Sequence, residues 1–98
     1  MSDVLTHEEL TSQLLSRPEW HIGTMEDIPC LCRTWTFANF ADAFALAGKI
    51  AELAENYDHH PQINVAWGLL TVIWWSHDAG GVTQRDVDMA ALCDHLSN

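Results

Sequence analysis

Apolar positions along the chain recur at helical spacing in three stretches and alternate with polar ones in others, and the residues between these stretches set their limits. Leu10, Leu14 and Leu15 follow a Thr6–Glu9 capping-box pair and stop before Pro18, which predicts a first helix from about Thr6 to Ser16. A short strand is expected from Trp20 to Thr24, and Met25–Pro29 reads as a loop. Between Leu31 and Phe37, Trp, Phe and Thr at period two predict a second strand. Asn39 can cap the next helix, with Asp42 in its first turn. Phe40, Ala43, Phe44, Ala47, Ile50, Ala51 and Ala54 then form one stripe, predicting a helix from about Phe40 to Asn56. Its alanines allow another helix or a sheet to approach closely.

Pro61 closes the segment after this helix. Gln62–Trp67 and Leu70–Ser76 are expected to pair around a Gly68-Leu69 loop, where a leading glycine suits a type II′ turn. Asp78–Gly81 is a turn, Thr83 and Asp86 form a second cap pair, and Val87, Ala90, Ala91 and His95 or Leu96 carry a last helix. The order α-β-β-α-β-β-α predicts an α+β two-layer sandwich: a four-stranded antiparallel sheet with three helices on one face. At 98 residues the chain is expected to form a single domain, residues 1–98.

Charge narrows the partners. Four Lys and Arg against fourteen Asp and Glu give a net charge of −10, which leaves little cationic surface for phosphates. Direct nucleic-acid binding and anionic membrane surfaces are therefore not expected. No apolar run reaches transmembrane length and the first residues lack a signal-peptide pattern, so a cytoplasmic location is expected. Cys30, Cys32 and Cys93 are an odd set that matches neither a zinc knuckle nor a redox pair, and free thiols are expected.

Histidine is the informative residue type. If Trp67 pairs with Leu70, His60 faces His77 across the hairpin, beside His59. Imidazole changes charge near neutrality, so such a cluster suits general acid–base catalysis. Asp86 is the nearest carboxylate, either a helix cap alone or an orienting partner, and Glu55 stands four residues before His59. A metal site is not expected, because adjacent residues on an extended segment point apart and no cysteine completes a ligand set. Of the five tryptophans, Trp35 is expected in the core. Trp74 and Trp75 should face opposite ways, and an indole near His77 could stack on a heteroaromatic ligand.

Glu55, His59-His60-Pro61, Trp67, His77 and Asp86, at these spacings, resemble the signature of the pterin-4a-carbinolamine dehydratases, also known as dimerization cofactors of a hepatocyte homeodomain transcription factor. Trp35-Thr36-Phe37, Ala51–Glu55, His77–Gly81 and Arg85-Asp86 extend the likeness over most of the chain, from about Trp20 to Leu96. The resemblance implies a hydro-lyase that removes water from 4a-hydroxytetrahydropterin to give quinonoid dihydropterin, recycling the cofactor of aromatic amino-acid hydroxylases. It implies that His59, His60 and His77 line a pterin pocket, that Pro61 and Asp86 belong to the surrounding signature, and that Trp20 and Trp75 contribute to it together with Glu55. His60 and His77 would be the acid–base pair and His59 would position the pterin. Two departures stand out: Trp67 replaces a commoner tyrosine, and Trp74-Trp75 stands where the family has smaller residues, which would narrow the pocket. The resemblance further implies no metal or organic cofactor, and homodimers or homotetramers joined through the sheet edge and the central helix. An alternative use of the same fold is a non-catalytic binding or assembly factor, such as a transcriptional coactivator or a Rubisco-assembly chaperone. Relatives of the chaperone kind tend to lose the histidines that this chain keeps.

Overall fold

The computed structural model describes residues 3–97. Its elements follow the expected order: α1 (His7–Leu14), β1 (His21–Met25), β2 (Ile28–Thr36), α2 (Phe40–Tyr57), β3 (Gln62–Ala66), β4 (Leu69–Trp74) and α3 (Gln84–Leu96). The strands form one antiparallel sheet in the order β1-β2-β4-β3. Leu31 and Trp35 from β2, and Leu70, Val72 and Trp74 from β4, are buried on its inner face. Ala43, Leu46, Ala47, Ile50 and Ala54 of α2 and Val87, Met89, Ala90 and Cys93 of α3 complete the core. No helix among the described residues is long and apolar enough to cross a membrane.

The capping boxes start α1 and α3 as the sequence predicts. The Thr6 amide donates to Glu9 Oε1 at 2.8 Å and the Glu9 amide donates to Thr6 Oγ1 at 3.1 Å. This bonding holds the Glu9 carboxyl below its ordinary range. α1 ends at Leu14, two residues before the predicted Ser16; Leu15 is 80% exposed and gives the helix no reason to continue.

Three expectations change. The Met25–Pro29 loop is a two-residue turn: Glu26 and Asp27 have φ of 51° and 67°, the double positive φ of a type I′ hairpin, and Met25 pairs with Ile28. Glu-Asp is a weak signal for that turn, so the strands on either side run longer than the pattern suggests. In the second hairpin the loop is Trp67-Gly68, not Gly68-Leu69, and Leu70 lies opposite Val65. Gly68 takes the positive φ of 69° at the second loop position, and its carbonyl accepts the Phe37 amide at 2.9 Å. Finally, the apolar face of α2 is centred on its small residues. Phe40 and Phe44 lie outside it, 48% and 60% exposed, stacked with ring centroids 6.2 Å apart.

Candidate functional site

The hairpin register decides which histidines can meet. Gln62 lies opposite Ile73. Continuing that register two residues back sets His60 against Trp75, and three back sets His59 against Ser76, so His60 and His77 are not cross-strand partners. The correction comes from the loop, which is displaced by one residue.

His59 is placed by the end of α2. Asp58 turns into the left-handed region (φ 50°, ψ 44°), its amide donates to the Glu55 carbonyl at 3.3 Å, and the His59 amide donates to the Ala54 carbonyl at 3.2 Å. This is a Schellman-type close with aspartate where glycine is usual. Arg85 locks it from outside, one guanidinium nitrogen donating to the carbonyls of Tyr57 at 2.8 Å and Asp58 at 2.7 Å. The C-terminus of α2 is thereby tied to the N-terminus of α3, one residue from Asp86.

Asp86 is 0% exposed, and protein groups surround its carboxylate. Oδ2 accepts the Ser76 hydroxyl at 2.8 Å and the Thr83 amide at 2.9 Å, while the Thr83 hydroxyl lies 3.0 Å from Ser76 Oγ. Its place in the first turn of α3 also favours negative charge. Oδ1 meets His59 Nε2 at 2.5 Å. A carboxylate can only accept, so the Nε2 proton belongs to His59 and Nδ1 is the free nitrogen of that ring. The imidazole lies flat on Trp74, ring centroids 5.5 Å apart and planes 18° apart. Position, tautomer and tilt of His59 are thus all set by protein contacts.

His60 turns the other way, as adjacent residues on extended backbone do. Its Nε2 is hydrogen-bonded to Glu55 on the last turn of α2, with side-chain exposures of 54% and 75%. His77 lies in the turn after Ser76 and is exposed. Pro61, between the histidines and β3, is half-buried. The outcome is two consecutive imidazoles, each pinned through Nε2 by its own carboxylate, one largely buried and one at the surface.

Of the tryptophans expected at the pocket, Trp20 lies elsewhere, and Trp75 falls on the His60 side of the hairpin, opposite His60 in the continued register. Trp20 is 3% exposed, edge-on to Trp35 with centroids 5.9 Å apart, and its indole N–H donates to Asp94 at 2.7 Å. Asp94 is eight residues along α3 from Asp86, about 12 Å on a helix, so Trp20 belongs to the far end of that element. Trp75 follows Trp74 on the chain and is half-buried with a buried, unpartnered indole nitrogen. Strand alternation turns it to the outer face, away from His59. Asp86 itself has no exposed surface to offer a ligand, and its Oδ1 contact is His59. Sequence reasoning paired Thr83 with Asp86 and missed Trp74 and Ser76 as parts of this arrangement, as well as the contact of Arg85 with the end of α2. One signal was available: Trp74 shares the parity of Leu70 and Val72, which marks the inner face. Among the described residues, no three His, Cys, Asp or Glu side chains gather where a metal ion could be held.

Comparison with known proteins agrees with this architecture. Residues 3–96 match the family model of pterin 4 alpha carbinolamine dehydratase. A protein of Microcystis aeruginosa named "Putative pterin-4-alpha-carbinolamine dehydratase" is 41% identical over 97% of this chain and 82% of its own length. A Chlorobium luteolum protein of the same name is 43% identical over 91% of this chain and 75% of its own. Among solved structures, a transcriptional coactivator/pterin dehydratase from Brucella melitensis superposes with a TM-score of 0.86 at 27% identity, covering 98% of this chain and all of that one. A pterin dehydratase-like protein described as a RuBisCO assembly factor of the α-carboxysome shares the fold, with a TM-score of 0.66 at 23% identity over 82% of this chain and 90% of its own. The chain belongs to the pterin-4a-carbinolamine dehydratase family.

Proposed function

We propose that the protein is a hydro-lyase that eliminates water from 4a-hydroxytetrahydropterin, tetrahydrobiopterin-derived carbinolamine included, to give quinonoid dihydropterin. The observation that carries this reading is the pair of carboxylate-held imidazoles, His59 with Asp86 and His60 with Glu55, in a chain of this family. The elimination needs one proton delivered to the departing 4a oxygen and one removed from a ring nitrogen. It is redox-neutral, so acid–base side chains suffice and no metal or organic cofactor is required. With Nε2 of both rings directed at carboxylates, Nδ1 is the atom left to exchange protons with the pterin. His60 and His77, the two exposed imidazoles, are assigned the proton transfers, each contributing about 10²–10⁴ in rate. His59 positions the ring, Asp86 holds His59 and Glu55 holds His60. Pro61 shapes the backbone between the histidines and the sheet.

The same reading includes a homo-oligomer. β3 is an open sheet edge, Trp67 beside it is 72% exposed, and the Phe40–Phe44 pair leaves an apolar patch on α2. A second reading, a non-catalytic binding or assembly factor, would use those same exposed side chains. The experiment that separates the two follows the absorbance of freshly generated 4a-hydroxytetrahydropterin. Catalysis faster than the spontaneous loss, impaired in His60→Ala and His77→Ala, supports the enzyme. Wild-type protein giving only the spontaneous rate rejects it, and a stoichiometric partner retained after His→Ala changes establishes the second reading.

A further inference from the structure

Cys30 and Cys32 lie two residues apart on β2, so both point to the sheet face opposite the helices. Their sulfurs are 3.6 Å apart. Gly23, paired directly with Cys30 on β1, makes room for them: a Cβ there would sit 3.2 Å from Cys32 Sγ and 3.6 Å from Cys30 Sγ. Cys30 is 1% exposed and Cys32 half-buried, so the pair is approached from the Cys32 side. Burial, first, and then the hydrogen bond and charge of Cys30 push the Cys32 thiol up to about 12, which keeps it protonated at neutral pH.

A disulfide fits this placement poorly. Residues two apart on a strand are separated by about 6.6–6.8 Å, the upper limit of Cα spacing for such a bond. A bridging atom can instead take the sulfurs where they are. Bonds of about 2.3 Å to two sulfurs 3.6 Å apart enclose an angle of about 100°, a bent rather than a linear arrangement. No third protein ligand converges on the pair among the described residues, so a four-ligand ion such as structural zinc is not provided for. We propose that Cys30 and Cys32 form a dithiol site for a thiophilic centre that is satisfied by two bent sulfur bonds, the class being trivalent organoarsenicals. In this step two S–H bonds and the arsenic–oxygen bond break, two As–S bonds form, and the two protons leave with the oxygen as water. No oxidation state changes. The site lies on the other face of the sheet from His59 and does not depend on the dehydratase reading.

The test uses folded wild-type protein and one equivalent of phenylarsine oxide, read by intact mass and by titration of remaining thiols. One adduct per chain is expected, with two thiols consumed and Cys93 still free, reversed by a dithiol and not by an equal concentration of a monothiol. Cys30→Ser and Cys32→Ser should each lower adduct formation at least tenfold, while Cys93→Ala leaves it unchanged. Gly23→Ala retains both thiols and should weaken the adduct several-fold, because its methyl group crowds both sulfurs. Absence of the wild-type adduct overturns the proposal. So does an adduct that persists in Cys32→Ser, is lost in Cys93→Ala, or is as strong in Gly23→Ala as in wild type.

Discussion

Asp86 and Asp94 stand in the first and last turns of the same helix, both largely out of solvent, and their surroundings differ in kind. Asp94 sits where the helix dipole disfavours a negative charge. It is held by two guanidinium groups, Arg33 at 2.5 Å and Arg17 at 3.2 Å, and by the Trp20 indole at 2.7 Å. Arg33 in turn lies over the Trp35 ring, 4.4 Å from its centroid. Asp86 sits where the dipole favours it and is met by neutral hydroxyl and amide donors and one imidazole. A guanidinium keeps its proton at any working pH, so the Asp94 end is a fixed structural clamp. An imidazole can gain or lose one, so Asp86, unlike Asp94, has a side-chain partner that can exchange a proton.

Removing each carboxylate tests that contrast. The largest effect is expected for Asp86→Ala, which leaves the Ser76, Thr83 and His59 donors without an acceptor in a site with no exposure. A loss of about 3–5 kcal/mol in urea unfolding is expected. Asp86→Asn should recover much of that stability while the dehydration rate stays about a hundredfold down, because the orientation of His59 is lost. Asp94→Ala should cost about 2 kcal/mol, less than a fully buried pair, since its side chain keeps 17% exposure. Its dehydration rate should remain that of wild type, and a loss comparable to Asp86→Asn would erase the distinction between the two ends.

A smaller effect separates the ends by pH. Cys93, beside Asp94, is pushed up to about 11 from 9.0, mainly by burial and also by the Asp94 charge. A raised pKa in the folded state means that the stability it contributes is complete below pH 9 and declines as pH rises toward 11. About 1 kcal/mol should be lost by pH 10, and Cys93→Ala should flatten that part of the stability–pH curve. The smallest structural effect is expected at the exposed pair. Glu55→Gln should change unfolding free energy by no more than about 0.5 kcal/mol. Its dehydration rate should nevertheless fall, since His60 loses its fixed acceptor.

Much of this was legible in the sequence. Both capping boxes, the α2 start at Asn39 and the α-β-β-α-β-β-α order follow from local signals that the tertiary structure did not override. The separation of His59 from His60 follows from alternation alone. What failed was register: one residue of loop displacement at Gly68 sets Gln62 opposite Ile73, a register that no longer brings His60 opposite His77. Single-sequence patterns fix which face a residue takes far better than which residue it opposes, because a shift of two in pairing leaves every face unchanged. Trp20 was assigned to the pocket by likeness, and its role here follows from Arg33 and Asp94, residues whose convergence no spacing rule announces. Asp86 as cap and Asp86 as partner of His59 are both realised, one oxygen serving each.

The eight-residue interval between those two aspartates also acts as a length gauge. On a 3.6-residue helix each added or deleted residue would swing one carboxylate by about 100° relative to the other. Neither partner set could follow, because His59 is fixed by the close of α2 and Arg33 by its strand. Insertions and deletions among relatives that keep both clamps should therefore fall in the loops, leaving the stretch between residues 86 and 94 constant in length.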